Sequence, residues 1–205
     1  MRKLLLMFLL ALLLVSCVNN WNYPCYVDAI NNGAPVQQRS YVLVPSDSSV
    51  EPNDLNFLEF ANISVRALAA HGYVRTLDSA SANVRIDLAY GVSVPSPVTY
   101  SEESFNWAGL LDPDAPATQT AIKTAQIYRL HLQLRAYANS SLPKQLPTQL
   151  WKINVFSRGP SSDLREAFPY LMAAGYPYLG ENTHNSLLVW VPDTSLVVQK
   201  LRKND

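Results

Sequence analysis

The stretch Gln126-Ile127-Tyr128-Arg129-Leu130-His131-Leu132-Gln133-Leu134-Arg135-Ala136-Tyr137-Ala138 alternates strictly. Tyr128, Leu130, Leu132, Leu134 and Ala136 fall on one side of a period of two; Arg129, His131, Gln133 and Arg135 fall on the other. Successive side chains of a strand point to opposite faces, so this pattern predicts a strand with one buried and one polar face. The same pattern recurs upstream, where Val84, Ile86, Leu88, Tyr90 and Val92 alternate with Arg85, Asp87, Ala89 and Gly91. Downstream, Leu150 to Phe156 carries Trp151, Ile153 and Val155 in phase. It follows the polar connection Asn139 to Thr148 and reads as the antiparallel return strand.

Outward from these strands the period changes. Arg39 to Val44 is a strand candidate before Pro45. Pro52 suits the first position of a helix. Leu55, Leu58, Asn62, Val65, Leu68 and Ala69 then recur at helical spacing, with Phe57, Phe60, Ala61 and Ser64 widening the stripe. The helix is expected to end at His71-Gly72, with Gly72 in the left-handed conformation, before a short strand over Tyr73 to Leu77. Ser161-Ser162-Asp163 opens a second helix with Glu166 in a loose capping arrangement. Its apolar face is Leu164, Ala167, Phe168, Leu171 and Met172, and Pro169 implies a kink or an early boundary. Gly175 ends it, and Leu187 to Val191 is a last strand before a tail over 194 to 205. The first strand-helix-strand unit can pair in parallel across its crossover. The expected fold class is α+β: a two-layer sandwich in which a mostly antiparallel sheet is covered on one face by two helices.

The N-terminus reads differently. Arg2-Lys3 precedes an unbroken apolar run of 12 residues, Leu4 to Val15, too short to span a bilayer as a stable helix. It runs into Leu14-Val15-Ser16-Cys17, which resembles the lipobox of bacterial lipoproteins. That resemblance implies cleavage before Cys17, a diacylglycerol on its sulfur and acylation of the freed amine. Two or more acyl chains anchor a protein stably where one does not. Val18 rather than Asp follows the cysteine, which resembles an outer-membrane address on the periplasmic face. Three segments are therefore expected: a signal peptide over 1–16, a lipidated tether over 17–38, rich in Asn and broken by Pro24, Gly33 and Pro35, and a single α+β domain over 39–205. Cys25 falls in the tether as an odd thiol, free or in an intermolecular disulfide.

Composition narrows the function. Hydrophobic residues are 48% and charged residues 16%, as in a globular chain. Removing Arg2 and Lys3 leaves 14 basic and 16 acidic residues, so there is no electrostatic footprint for nucleic acid. His71, His131 and His184 are widely separated, without the short spacing of a metal site. Neither Gly-x-Ser-x-Gly nor Ser-x-x-Lys occurs, and the sparse glycines form no phosphate-binding loop. No cofactor and no catalytic set is indicated. The segment from 99 to 125 has no clear period and reads as a long loop, of the kind that is often functional. Its Phe105, Trp107, Leu110 and Leu111 either pack back on the domain or form an apolar patch for a partner. A second aromatic cluster, Tyr170, Tyr176 and Tyr178, suits packing at a helix end.

The layout resembles the bacterial lipoprotein family catalogued as domain of unknown function 4136. The similar parts are the strand Arg39–Val44, the helix end Leu68-Ala69-Ala70-His71-Gly72-Tyr73, and the strand Ala82-Asn83-Val84-Arg85-Ile86-Asp87-Leu88. The hairpin containing Leu150-Trp151-Lys152 and its closing helix complete the likeness. The resemblance implies a membrane-anchored domain facing the periplasm and supplies no catalytic residues. The leading expectation is a non-enzymatic binding or assembly module that contacts an envelope protein or a glycan through the 99–125 loop. An envelope hydrolase with a dispersed site and a carrier of a small lipophilic ligand are the alternatives.

Overall fold

The computed structural model describes residues 21–33, 39–105, 118–139 and 147–203. Its longest element is the strand quoted above, which reaches back to Thr118. Among the described residues there are eight strands: β1 (Asn22–Asn31), β2 (Ser40–Pro45), β3 (Val74–Arg75), β4 (Val84–Val92), β5 (Ser96–Phe105), β6 (Thr118–Ala138), β7 (Gln149–Gly159) and β8 (Leu187–Pro192). The same residues form three α-helices, α1 (Leu55–Ala70), α2 (Leu164–Gly175) and α3 (Leu196–Arg202), and a 3-10 turn at Tyr176–Tyr178. The sheet order is β3-β2-β4-β6-β7-β1-β8, with β5 paired to β6 off that path. β2 pairs in parallel with β3 and β4. The pairings among β1, β4, β5, β6, β7 and β8 are antiparallel, so the sheet is mixed and mostly antiparallel.

The alternation read from β4, β6 and β7 is the alternation of burial. Val84, Ile86, Leu88, Leu130, Leu132, Leu134, Trp151, Ile153 and Val155 are all buried. Burying each such side chain stabilises the fold by about 1.5–3 kcal/mol. The helices add Phe57, Phe60, Leu68, Phe168, Leu171, Met172, Val198 and Leu201 to the same core. α2 lies so close to β7 that a Cβ on Gly175 would meet Val155 Cγ2 at 2.8 Å. Within the aromatic core Trp151 Nε1 donates to Tyr73 Oη at 2.8 Å, whereas the buried Tyr41 hydroxyl, whose ring meets Tyr73 edge-on, has no hydrogen-bond partner among the described residues.

Several expectations need correction. The tether over 17–38 does not hold for Asn22–Asn31, which is an interior strand flanked by β7 and β8. Its asparagines concealed a period of two in which Cys25, Val27 and Ala29 are fully buried. Pro24, which cannot donate to a ladder, lies beyond the β7 register, which runs over Tyr26–Asn31. Thr183 secures the far end of the strand, taking a hydrogen bond from Ala29 N and donating its own N–H to Ala29 O at 3.0 Å. The thiol of Cys25 is free and buried, directed at the Tyr170 carbonyl 3.8 Å away, and burial pushes it up to about 12.

α1 begins at Leu55 rather than at Pro52, because the Asp54 carboxylate accepts the Phe57 N–H at 2.9 Å and caps it. Its buried face is the set that seemed only to widen the stripe. Phe60 packs against Tyr90 and Phe168, with ring centroids 4.4 and 4.6 Å apart, and this turns Leu55 outward to 81% exposure. Large rings dominate the burial of a helix face and set its rotation. The expected end is present: Gly72 has φ +78° and its N–H bonds Ala69 O. β3 is only Val74–Arg75, not Tyr73 to Leu77, because Tyr73 turns into the core. α2 is capped by Asp163 and runs through Pro169 to Gly175. The tail forms a third helix, α3, whose last turn is held by Arg66, donating twice to Leu201 O.

Candidate functional site

The expected loop over 99–125 is largely a hairpin. Ser96 through Phe105 pair residue for residue with Ile127 back through Thr118. The body strands end short of it, since β4 reaches Leu130 and β7 reaches Tyr128. β6 thus belongs to the sheet over its second half and to a two-stranded ribbon over its first. Ten residues at about 3.4 Å each make the ribbon about 34 Å long. Every residue of β5 is exposed, and so are those of β6 up to Thr124. No buried row organises it, which is why the sequence carries no period there.

Directly opposite residues of an antiparallel pair share a face. Val98, Tyr100 and Glu102 therefore lie with Ala121, Lys123 and Ala125 on one face. Lys123 ion-pairs with Glu102 there. Thr99, Ser101 and Phe105 lie with Thr118, Ile122 and Thr124 on the other. Of the expected contact residues, Phe105 is at the end of β5, opposite Thr118 and half exposed. Trp107, Leu110 and Leu111 lie outside the described residues, as does Cys17.

Sequence reading missed a second cluster, on the sheet face that carries Arg129, His131, Gln133 and Arg135. Tyr26 and Phe156 are cross-strand partners on β1 and β7, stacked at 4.9 Å between centroids. The Arg129 guanidinium lies 3.9 Å from the Phe156 centroid, and that of Arg158, directly opposite Arg129, lies at 5.7 Å. The next row is polar: Gln133 Nε2 donates to Asn154 Oδ1, and Asn154 Nδ2 to Asp28 Oδ2 at 3.3 Å. Asp87 is held by Arg85 at 2.8 Å. His131 sits over Gly91, where a Cβ would come within 2.8 Å of its Cε1. Burial, and then the charge of Arg129, hold its imidazole below the usual histidine range. A concavity of about 510 Å³ is lined by Asp28, Arg129, His131, Asn154 and Phe156. A neighbouring one of about 410 Å³ reaches the root of the ribbon at Val94, Val98 and Ile127. This arrangement offers guanidinium and amide donors beside an aromatic stack, a surface for recognition. Only half of it was legible, because Arg158 and Tyr26 join it through strand register.

The other histidines lie elsewhere. His71 caps α1 with its ring against Tyr176, and His184 is an exposed loop residue with φ 59°. Among the described residues no three His, Cys, Asp or Glu side chains group as metal ligands, and no helix is long and apolar enough to cross a membrane.

No family model and no curated protein matches the sequence. Among solved structures, the chain is similar to a PDZ domain protein from Parabacteroides distasonis, at 14% identity and a TM-score of 0.46. The match covers 87% of this chain and 40% of that one, so the chain spans less than half the length of that neighbour.

Proposed function

We propose that the chain is a cell-envelope lipoprotein, anchored through lipid on Cys17, that acts as a non-enzymatic binding or assembly module. The observation that carries the binding role is the ribbon. A solitary two-stranded hairpin is marginally stable in water. One of about 34 Å with both faces exposed spends the ordering entropy of some twenty residues on no core of its own. Such an arm gains its stabilisation from what it grips. In this reading the helices share one face of the sheet, and the opposite face, with Arg129, Phe156 and Tyr26, continues the gripping surface toward the body. The leader supports the anchor, Val18 after the cysteine supports an outer-membrane address, and the resemblance read from the sequence to the lipoproteins of domain of unknown function 4136 is in keeping with a periplasm-facing domain. Phe105, Trp107, Leu110 and Leu111, at and beyond the end of β5, are the residues proposed to meet an envelope protein or glycan.

The test is cross-linking in intact cells followed by identification of what is joined to the chain. One dominant adduct is expected, lost on Cys17→Ala and on Tyr100→Ser with Ile122→Ser, while the variant's melting temperature stays unchanged. Adducts that persist in the ribbon variant would refute the ribbon as the binding element. Failure of the chain to incorporate labelled palmitate at Cys17 would refute the anchor.

A further inference from the structure

The position of β1 changes what the anchor means. Because Asn22 already belongs to the sheet, only five residue steps separate it from Cys17. At about 3.3–3.6 Å each, they reach at most about 18 Å. A lipid on Cys17 would hold the β1/β8 edge against the bilayer surface instead of letting the domain hang free.

That edge has a matching chemistry. Trp21 is 61% exposed, and its carbonyl takes the Asp193 N–H at 2.9 Å just after β8. Trp190, opposite Pro24, is 58% exposed and lies on the other face of the sheet from Trp21, whose ring meets Tyr23 edge-on, so the two indoles flank this edge from both sides. Leu196, at the start of α3, is 71% exposed. Trp151, by contrast, is buried in the core. Lys200 and Lys203 follow on and just after α3, both exposed. Exposed tryptophans on the two faces of a sheet edge, with lysines on the helix that follows it, suit the headgroup layer, where the indole body is half immersed, its N–H stays hydrated and the ammonium groups meet lipid phosphates.

We infer that the rim formed by Trp21, Trp190 and Leu196, with Lys200 and Lys203, is a membrane-docking surface that seats the β1/β8 edge in the headgroup region of an anionic bilayer. It rests on the anchored reading for its place in the cell, but the contact itself requires no acyl chain. The rim lies on the outer edge of the sheet, three strands along from β6, with Trp21 at the same end of the strands as the root of the ribbon.

The test uses a chain starting at Val18, which keeps every described residue and cannot be lipidated on Cys17. It carries Trp107→Phe, so that Trp21 and Trp190 report the rim and Trp151 reports the core. The chain is mixed with vesicles of phosphatidylethanolamine and phosphatidylglycerol. Expected are a blue shift of emission, quenching by lipids brominated near the headgroup, and co-sedimentation that weakens with salt. Trp21→Ala with Trp190→Ala should reduce partitioning at least tenfold. Leu196→Ser with Lys200→Gln, a second variant that leaves both indoles in place, should reduce it several-fold with an unchanged circular dichroism spectrum. Absence of co-sedimentation, or partitioning untouched by both variants, overturns the inference. Because Cys17 is missing throughout, these outcomes are independent of whether the cysteine is acylated.

Discussion

Replacing Val27 with Ala tests whether β1 belongs to the domain or to a tether. Val27 is 0% exposed, between Val155 of β7 and Leu187 of β8. The substitution removes two buried carbons at about 0.8 kcal/mol each, about 1.6 kcal/mol of transfer energy. Neighbours on both sides are held by strand pairing and collapse little, so the residual cavity adds about 1 kcal/mol. The expected loss is about 2–3 kcal/mol. With a urea slope of about 2 kcal/mol per M for a domain of this size, the unfolding midpoint falls by about 1 M. The melting temperature falls by about 5–10 °C. The assay is urea unfolding followed by tryptophan fluorescence and by circular dichroism together, so that a common slope establishes two-state behaviour. Ile30→Ala is the internal control, since Ile30 lies on the other face of the same strand at 49% exposure. Its expected cost is under about 1 kcal/mol. A Val27→Ala midpoint within 0.2 M of the parent, by the slope just used, would mean that these residues do not pack in the core and would refute the sheet order drawn here.

Gly175→Ala pits helix propensity against packing. Alanine gains about 1 kcal/mol in a helix, but its methyl would lie 2.8 Å from Val155 Cγ2, so a net loss of about 1–3 kcal/mol is expected in thermal unfolding. Cys25 should resist a thiol reagent at pH 8 in the native protein and react fully in urea, because burial pushes its thiol up to about 12; native labelling at the unfolded rate would contradict its place in the core. His131 makes stability depend on pH. Its folded value lies below the ordinary imidazole value of 6.5, so the unfolded state takes up the proton first. Stability from this group is complete above pH 6.5 and is lost as pH falls through the folded value. His131→Gln should flatten that part of the stability–pH profile, and Arg129→Gln should shrink it, because burial is the larger cause and the Arg129 charge the second.

What could be read in the chain follows from where a buried face imposes a period. β4, β6 from Leu130 onward, and β7 each alternate around a core, and their positions and pairing were legible. β1 alternates equally well, but it begins among asparagines, carries Pro24 and lies close to an apparent anchor, so composition outweighed period. The face of α1 was misassigned because spacing alone cannot rank Leu55 against Phe57; contact with Tyr90 and Phe168 decides it. Arg129 and His131 were visible as polar-face residues. Their grouping with Phe156, Arg158 and Tyr26 was not, since pairing register depends on a connection, Asn139 to Thr148, whose length leaves it open.

The ribbon shows why one strand can hold two kinds of sequence. β6 is continuous from Thr118 to Ala138. Residues of one parity in a continuous strand share a face, so Lys123, Ala125 and Ile127 lead into Arg129, His131 and Gln133. The body therefore orients the ribbon without touching most of it. β4 and β7 clamp the second half of β6, and the pleat carries that orientation outward. The first half is free of the demand to bury a face, and its sequence, Thr118-Gln119-Thr120-Ala121-Ile122-Lys123-Thr124-Ala125, keeps β-branched residues at 118, 120, 122 and 124, which favour extended backbone, with no core pattern. The absence of period that made this segment look like a loop is thus what remains when a strand keeps its backbone preference and loses its core.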